Sequence, residues 1–387
     1  MSSRRAAEPG HKQRPATIQD VARRAGVSIA TVSRVVNGVA TVDAALAERV
    51  RAACAALQYQ PNRAARALAG HHSAIIGLLV ADLQNPFFME IVRGVEDVAQ
   101  RNGYLVVLCN STEDPHKERA YIEVLCAEAV AGAIVAATTD RKPIVRMFEE
   151  RGIPVVAVDR RVRDRSIDAV LIDNVTAARE AVAHLIANGY RRIGAITGPQ
   201  HTTTARERLE GYRLALSDAG ILIDPQLERS GSFNADSGRQ LAGELLDLAP
   251  PVEALFAGNN RIAQGALEAL HAHNLHVPDD VAVVGFDEVP WAIPGTLSLT
   301  TVTQPAYELG STAALRLLQR LQHPGQVVRQ EIVLAHRLQL GDSSRPRYGT
   351  AAHSCDEGRR ASPVGTSDAE IAPTAARMGG EEVSVSG

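Results

Sequence analysis

The stretch from residue 17 to residue 37 reads TIQDVARRAGVSIATVSRVVN, and its pattern predicts two short helices joined by a tight turn. Thr17 and Asp20 have the spacing of a capping box, in which each side chain accepts a hydrogen bond from a backbone amide at the start of a helix. Apolar residues at helical spacing give the first helix one buried face, and Gly26 can adopt the positive φ that ends it. Ser28 is placed to cap a second helix, which buries its valines and leaves short polar groups and an arginine outside. The DNA major groove accepts a helix of this kind.

An ordinary helical hairpin would share this periodicity, so the identity of the residues has to decide between the two interpretations. The string resembles the DNA-binding head of the LacI/GalR family of bacterial repressors, whose signature runs close to T-I-x-D-V-A-x-x-A-G-V-S-x-x-T-V-S-R-V-x-N. Nearly every position of that signature is present. The resemblance covers about residues 16–341, with ADLQNPFF, VDRR, TARERLEGYRLAL, VVGFDEVP and LTTVTQPAYELG in the expected order. It implies a sequence-specific DNA-binding repressor whose operator binding is controlled by a small-molecule effector.

The resemblance also implies roles for individual head residues. Ile29 and Ala30 match the family's base-reading pair, and small apolar side chains suit contact with thymine methyl groups. Arg34 matches the arginine that donates two hydrogen bonds to guanine O6 and N7. The side chains expected to contact phosphates and set the register are Thr17, Ser28, Thr31, Ser33 and Asn37. For Thr17 and Ser28, helix capping alone remains an alternative.

The segment 61–73 is predicted to be a hinge helix and linker, because Pro61 suits the first position of a short helix in PNRAARALAG. Its Leu68 matches the leucine that family members insert into the minor groove at the centre of a palindromic operator. Two such leucines acting together require a twofold-symmetric homodimer. A core role for Leu68 is the alternative, although the surrounding arginines and alanines offer little for it to pack against.

Charge separates the two ends of the chain. Residues 1–72 hold 11 Lys and Arg against 4 Asp and Glu, whereas the rest of the 387-residue chain holds 30 against 40. Solvated basic helices are common, but a basic module that contains the helix-turn-helix pattern indicates that one end meets a polyanion such as double-stranded DNA.

Several other protein classes lose support from the sequence. No apolar run approaches the roughly 18 residues of a membrane helix, and the first residues lack the apolar core of a secretory signal. The four cysteines are scattered, without a CxxC pair or zinc spacing. We therefore expect a cytoplasmic protein with no membrane partner and no metal or cofactor.

From residue 74 the pattern changes to short β-branched runs that alternate with amphipathic helical sequence. Continuous apolar strands separated by helices predict parallel sheets covered on both faces, and therefore an α/β fold. The predicted strand regions are 74–82, 104–110, 132–138, 154–159, 169–174, 192–198, 254–259 and 281–287. We expect a small all-α helix-turn-helix domain followed by two doubly wound, parallel-sheet lobes, resembling the periplasmic sugar-binding proteins.

The expected domain limits follow from these patterns and from the resemblance. A disordered arm (1–15) precedes the helix-turn-helix domain (16–60) and the hinge. The effector-binding and dimerisation core spans 74–341, and the chain crosses between its lobes three times. The N-lobe is expected over about 74–172 and 302–330, the C-lobe over about 173–301 and 331–341, and a disordered tail over 342–387.

Ligands of doubly wound sheets bind beyond the carboxyl ends of the strands. The residues at those ends are Asp82, Asp159, Gly198, Asn259 and Asp287. Each polar one could instead cap the following helix, but a set that converges on one cleft is better explained by a ligand. By resemblance, the effector site is expected to contain Asn85, Phe87, Phe88, Asp159, Arg160, Arg208, Phe233, Asn259 and Asp287.

Carboxylates, amides and an arginine around aromatic rings suit a polyhydroxylated ligand, so a sugar or sugar derivative is expected. Two features complicate this expectation. The family's usual Asn-Asp pair is Asn259-Asn260 here, so one carboxylate is missing. The basic loop RRVRDR (160–165) is either a solvated loop, the interpretation we favour, or a feature that selects a phosphorylated or acidic ligand.

Two other functions share such a core. A dehydrogenase or kinase can use a doubly wound sheet, but the chain has no GxGxxG after its first strand, no P-loop, no HExxH and no GxSxG. A transporter's solute-binding protein would share the core fold, but would not carry the helix-turn-helix head. The sequence therefore favours a transcriptional regulator over both alternatives.

Overall fold

The structure, a computed structural model, describes residues 16–36, 42–59, 73–139, 143–162, 167–288, 297–326 and 328–346. Within them the helices are α1 (Ile18–Ala25), α2 (Ile29–Val36), α3 (Ala44–Ala56), α4 (Pro86–Arg101), α5 (Pro115–Ala127), α6 (Pro143–Glu149), α7 (Asn174–Ala187), α8 (Thr203–Asp218), α9 (Ala235–Leu246), α10 (Asn260–Ala272) and α11 (Ala306–Gln322). The strands are β1 (Ile75–Val80), β2 (Leu105–Asn110), β3 (Gly132–Val135), β4 (Val155–Val158), β5 (Asp168–Ile172), β6 (Ile193–Thr197), β7 (Glu228–Ser230), β8 (Ala254–Ala257), β9 (Ala282–Phe286), β10 (Thr300–Thr303), β11 (Glu331–Leu334) and β12 (Arg337–Gln339).

The head is a three-helix unit whose local signals act as predicted. The Thr17 side chain accepts the Asp20 amide while Asp20 accepts the Thr17 amide, which completes the capping box. Gly26 ends α1 with a φ of 61°, and Ser28 Oγ accepts the Thr31 amide at 3.1 Å at the start of α2. The buried residues that form the small core are Val21, Ala22, Ala25, Val32, Val50 and Ala53.

The N-lobe contains a six-stranded sheet with the strand order β11-β5-β4-β3-β1-β2. All of its paired strands run parallel. Helices α4 and α11 pack against each other on one face, and a second apolar cluster lies between the sheet, α5 and α6. This is the covered parallel sheet that the apolar runs predict.

The C-lobe repeats the arrangement with the order β12-β10-β9-β8-β6-β7. Only β12 is antiparallel to its neighbour among these pairs. Helices α7 and α8 pack together, as do α9 and α10. The two sheets therefore correspond strand by strand, and the predicted α/β class with two doubly wound lobes is confirmed.

The chain crosses between the lobes after β5, after β10 and after β11. The first crossing lies where the sequence places it, near residue 173, but the other two come a few residues later than the expected limits near 301 and 331. Strand β10 continues to Thr303, which pairs with β12 of the C-lobe sheet. Residues 331–334 belong to the N-lobe because β11 pairs with β5.

The first residues of the segment that the sequence predicts to be a disordered tail, 342–387, pack against the C-lobe. Residues Asp342–Ser344 form a 3-10 turn whose Ser343 and Ser344 are buried. Ser343 Oγ donates to the Val283 carbonyl at 2.6 Å, and the Ser344 hydroxyl lies 2.8 Å from His184 Nε2. Serine is typical of tail composition in sequence, but here the hydroxyls of Ser343 and Ser344 bind residues of the C-lobe.

Some predicted features lie outside the described residues. These are the arm 1–15, Asn37, the hinge over 61–72 with Leu68, and the tail from residue 347. Among the described helices, none is long and apolar enough to cross a membrane.

Candidate ligand site and nucleic-acid interface

A small cavity, with about 320 Å³ of space when the part open to solvent is included, lies between the two lobes at the carboxyl ends of their strands. Its lining residues are Asp82, Asn85, Phe87, Phe88, Glu113, Asp159, Arg160, Thr204, Arg208, Phe233, Asn259 and Asp287. All nine residues predicted for an effector site are in this set. Gly198 is not, but a Cβ there would meet the Phe233 ring at 2.2 Å, so glycine lets that ring approach the strand end.

The two asparagines of the cavity each cap a helix and also line the cavity. Asn85 caps α4 by accepting the Phe87 amide at 3.0 Å, and Asn259 caps α10 by accepting the Ile262 amide at 2.7 Å. Both side chains are also almost fully buried at the cavity. Capping and ligand contact, which are alternatives at the level of sequence, are therefore compatible at these two positions.

Two aspartates occupy equivalent places in the two lobes, directly after β4 and β9. Asp159 and Asp287 have φ values of 66° and 71°, a left-handed conformation that is uncommon for residues other than glycine. Burial raises the pKa of Asp159 to about 6, against the opposing effect of Arg160 and Arg208. Burial also raises the pKa of Asp287, while Gln304 donates a hydrogen bond to its carboxylate.

Arg160 is buried and is held by a carboxylate that the sequence analysis did not select. Its two terminal nitrogens donate to Glu113 at 2.7 and 2.6 Å. Burial lowers the pKa of Arg160, but the carboxylates of Glu113, Asp159 and Glu118 together outweigh it, and that pKa is raised. The guanidinium carbon lies 5.5 Å from the centre of the Phe233 ring, so Arg160 joins the cavity's ion pair to its aromatic wall.

Arg208 enters the cavity from α8 on the C-lobe side. It donates to Asn174 Oδ1 at 2.9 Å and to the Gly258 carbonyl at 2.6 Å. Its guanidinium stacks 3.6 Å from the centre of the Phe286 ring. Burial lowers its pKa, although Asp287 and Asp159 oppose that effect. The stacked, hydrogen-bonded plane keeps the guanidinium in one orientation beside the two strand-end aspartates.

The first arginines of the basic loop are paired with carboxylates. Arg160 binds Glu113, and Arg161 bridges Glu207 of the C-lobe and Glu331 of β11. The Arg161 amide also donates to Thr203 Oγ1 at 3.2 Å. Arg163 and Arg165 lie outside the described residues. The described part of the loop therefore presents no uncompensated positive charge to the cavity.

Of the head residues predicted to meet DNA, those that the structure describes lie on or beside α2, except Thr17, which caps α1. Arg34, Ser28, Ile29 and Ala30 are exposed, with Ile29 47% accessible, whereas Thr31 and Ser33 are half-buried. The Thr17 hydroxyl donates to Asp20 at 2.7 Å, and the Ser28 and Thr31 hydroxyls lie 2.9 Å apart. Capping therefore occupies the first two hydroxyls, and Arg34 is the long side chain that α2 presents outward.

The sequence analysis did not select Glu113, Thr204 or Gln304. Glu113 lies three residues beyond the end of β2, so the strand-end rule applied to β2 would have indicated its loop but not this residue. Thr204 lies in the first turn of α8, where only the packing of that turn against the cleft reveals it. Gln304 lies in the crossover after β10, and its position beside Asp287 depends on how the chain passes between lobes.

Two family descriptions match the chain. "Bacterial regulatory proteins, lacI family" matches residues 17–62. "Periplasmic binding proteins and sugar binding domain of LacI family" matches residues 73–338. The two matches are separated by residues 63–72 and together cover the head and the core.

Similar proteins of the same extent are also found. A ribose operon repressor of Halalkalibacterium halodurans is 39% identical over 320 residues, 82% of this chain and 94% of that protein. The ribose operon repressor of Escherichia coli strain K12 is 37% identical over 80% of this chain and 94% of its own.

Solved structures resemble the chain as well. A lac repressor dimer bound to operator and the anti-inducer ONPF has a TM-score of 0.73 and 32% identity, over 86% of this chain and all of its own. A LacI family transcriptional regulator from Enterococcus faecium with bound ribose has a TM-score of 0.63 and 30% identity, over 70% of this chain and 99% of its own.

Proposed function

The chain belongs to the LacI family of DNA-binding bacterial transcription regulators, and from that premise we propose that its effector is a neutral pentose of the ribose type. In this proposal a cytoplasmic homodimer represses transcription from a palindromic operator, and the sugar in the inter-lobe cavity controls operator binding. The observation that carries the proposal is the meeting of all nine predicted effector residues in one cavity.

The dimensions and chemistry of the cavity support a monosaccharide. The space between the lobes at this site is small, which favours a compact ligand over a large one. Phe87 and Phe88 stand edge to face, with ring centres 5.2 Å apart, and Phe233 lines the other lobe's side. Aromatic faces take the C–H surface of a sugar, while carboxylates and amides bind its hydroxyl groups. Relatives named as ribose operon repressors and a ribose-bound neighbour support the pentose class.

The charges of the cavity support a neutral ligand over a phosphorylated one. Among the described residues, its lining contains the carboxylates of Asp82, Glu113, Asp159 and Asp287 but only two arginines. Glu113 is already paired with Arg160. Arg208 interacts with the charges of Asp159 and Asp287 and donates a hydrogen bond to the Gly258 carbonyl. A phosphate would meet an excess of negative charge there. This argues against a basic segment that selects a phosphorylated ligand, although Arg160 and Arg161 are paired with carboxylates and not simply solvated.

The head supports sequence-specific DNA binding. In our proposal Arg34 donates two hydrogen bonds to a guanine, while Ile29 and Ala30 contact thymine methyl groups. The hydroxyls of Thr31 and Ser33, together with Asn37, hold phosphates, and Leu68 opens the central base step. The caps formed by Thr17 and Ser28 leave their hydroxyl oxygens at the start of each helix, where the backbone amides attract a phosphate.

The N-lobe offers a face for the dimer. Strand β2 is the edge of its sheet, and it leaves Leu105 63% and Val107 42% exposed. Apolar side chains along an uncovered sheet edge are a liability for a monomer and suit a self-association interface. In our proposal this edge contributes to the twofold contact that presents two heads to two half-sites.

The proposal is tested by titrating D-ribose and D-ribose 5-phosphate into the full-length protein by calorimetry, and by selecting an operator from random duplexes. We expect ribose to bind, and its phosphate to bind at least about ten-fold more weakly, which corresponds to ~1.4 kcal/mol. Ribose should change operator affinity by the same factor by which operator changes ribose affinity. Tighter binding of the phosphate, or ribose binding without any effect on operator affinity, would refute the proposal.

A further inference from the structure

Asn260 is the first residue of α10, and it lies against the cavity without lining it. It is fully buried, and its amide nitrogen has two acceptors. One is Oδ1 of Asn85, on the other lobe, at 2.9 Å, and the other is the Glu288 carbonyl, directly after Asp287, at 3.1 Å. One side chain thus joins the start of α4 in the N-lobe to the strand end after β9 in the C-lobe.

The hydrogen-bonding partners of Asn260 determine whether the oxygen or the nitrogen of its side-chain amide faces them. The Glu288 carbonyl can only accept, and Asn85 Oδ1 already accepts the Phe87 amide at 3.0 Å, so it is also fixed as an acceptor. Both partners therefore demand a donor. The Asn260 oxygen has no hydrogen-bond partner in the described part of the chain, which places the hydrogen-bonding role of this buried residue on its NH₂ group.

We propose that Asn260 is a positioning residue for ligand binding: its amide clasps the two lobes at the cavity and fixes the orientation of Asn85. With both lone pairs of Asn85 Oδ1 occupied, only the NH₂ group of Asn85 remains to meet the ligand, as a donor. The adjacent contact between Arg261 Nη2 and Gln84 Oε1, at 3.3 Å, joins the same two helix starts. The inference rests on the proposed function for the identity of the ligand, but not for the clasp.

Aspartate has the same shape as asparagine but cannot replace it in this arrangement. In the N260D variant, an ionised carboxylate would set an oxygen against Asn85 Oδ1 and the Glu288 carbonyl, at distances where two acceptors repel. A protonated carboxyl, by contrast, regains one donor. The proposal therefore predicts that N260D binds the ligand more weakly than wild type when its new carboxyl is ionised. Part of the lost affinity should return when that carboxyl is protonated.

The test compares full-length wild type with N260D, using D-ribose as the probe in calorimetry at roughly pH 8 and roughly pH 5. N274D is the matched control, because Asn274 is exposed just beyond the other end of α10 and the chemical change is the same. We expect N260D to bind ribose at least about ten-fold more weakly than wild type at the higher pH. The ratio of wild-type to N260D affinity should decrease at the lower pH, where the protonated carboxyl regains one donor, and the affinity of N274D should match that of wild type at both.

If Asn260 has a purely structural role, the ratio of wild-type to N260D ribose affinity should not depend on pH, whatever the change in melting temperature. That result, or unchanged affinity of N260D, would overturn the proposal. Hydrogen exchange of the sugar-free proteins provides a second measurement that needs no ligand. N260D should exchange faster than wild type and N274D at the Phe87 amide and in the first turn of α10, and equal exchange would also overturn the clasp. If wild type itself fails to bind ribose, the proposed effector is wrong, and the exchange result still decides the clasp.

Discussion

The residues that form the head's recognition surface are adjacent in the sequence, whereas those that form the core's cavity are far apart in it. The head's recognition surface comes from one uninterrupted string, and a core of six buried side chains is enough to hold α1, α2 and α3 together. The core's cavity draws on residues from Asp82 to Asp287, which separate strand ends and helix starts bring to one point. A local surface can be read from sequence directly, whereas a distributed site depends on two sheets whose strands share one order.

This difference predicts that the two functions can be separated, and the largest effect should come from removing the head. A protein that begins at residue 74 should lose operator binding altogether, because every predicted DNA contact lies before that residue. It should keep ribose affinity close to that of the full chain, since the clusters of apolar residues in the lobes contain no head residue. Gel-shift titration and calorimetry measure the two outcomes. Operator binding by this protein at full-length affinity would contradict the assignment of the head.

Arg208→Ala should have the opposite effect, because it should weaken ribose binding and leave operator binding intact. The change removes the guanidinium that stacks on Phe286 and leaves Asp159 and Asp287 without their shared cation. We expect ribose affinity to fall about 100-fold or more, because truncating a buried charge partner is severe. Operator affinity without sugar should stay near wild type.

Arg213→Ala is the control for this variant, since Arg213 lies on the same helix but pairs with Glu228 away from the cavity. Calorimetry, operator titration and melting temperature are measured on both. Normal ribose binding by Arg208→Ala would place the site elsewhere. Loss of operator affinity in the sugar-free variant would show that the head and core are not separable at this residue.

Arg34→Ala should have a smaller effect, confined to the head. We expect the loss of roughly 1–3 kcal/mol of operator binding and a relaxed preference at one base pair of each half-site. Ribose affinity should not change. Arg51→Ala, which removes an exposed arginine of α3 paired with Glu48, should leave the base preference intact. The check is operator selection with both variants, and an unaltered preference for Arg34→Ala would exclude that residue from base reading.

Within the core, Glu113→Gln should change selectivity more than affinity. The substitution keeps the size of the side chain but removes the charge that balances Arg160. The ratio of ribose to ribose 5-phosphate affinity should fall by about ten-fold, equivalent to ~1.4 kcal/mol. Glu123→Gln, which alters an exposed pair with Arg119, is the control. Calorimetry with both sugars decides, and an unchanged ratio would mean that Glu113 only supports the fold.

The smallest effect should be a pH dependence that acts on the core alone. Because the pKa of Asp159 is raised to about 6 by burial, its carboxylate becomes protonated below that pH and accepts hydrogen bonds from sugar hydroxyls more weakly. Ribose affinity should therefore fall as the pH decreases through about 6. The contribution of Asp159 to folding has the opposite sign. Its folded pKa lies above the value of 3.8, so the folded state binds the proton more tightly and gains stability as the pH decreases from about 6 towards 3.8.

Calorimetry and thermal melting across this pH range separate the two effects. Asp159→Asn should bind ribose more weakly than wild type and lose the part of the pH dependence that is centred near 6. Base-pair preference in operator selection should stay the same across the range. An affinity for ribose that rises on acidification would contradict a role for the ionised Asp159 carboxylate.

Much of the fold follows from local patterns, and the exceptions have physical causes. Each of the eight predicted strand regions contains an observed strand, because continuous apolar runs can be buried on both faces only within a covered sheet. Strands β7, β10, β11 and β12 were not predicted, because all four are short. Strands β7, β11 and β12 are also partly exposed, and three of the four residues of β10 are threonines. The late crossings and the packed Ser343 and Ser344 depend on pairing with distant partners, which no local window contains.

The sequence by itself determined the identity of the head, the alternation that makes two lobes, and nine of the residues that meet at the cavity. Those features depend on capping, periodicity and strand ends, which act over a few neighbouring residues. Only the tertiary structure decided that Glu113 neutralises Arg160, that Asp159 and Asp287 adopt positive φ, and that Asn260 donates across the cleft. Each of these depends on the orientation of a side chain towards partners far along the chain, and that orientation exists only once the two sheets are assembled.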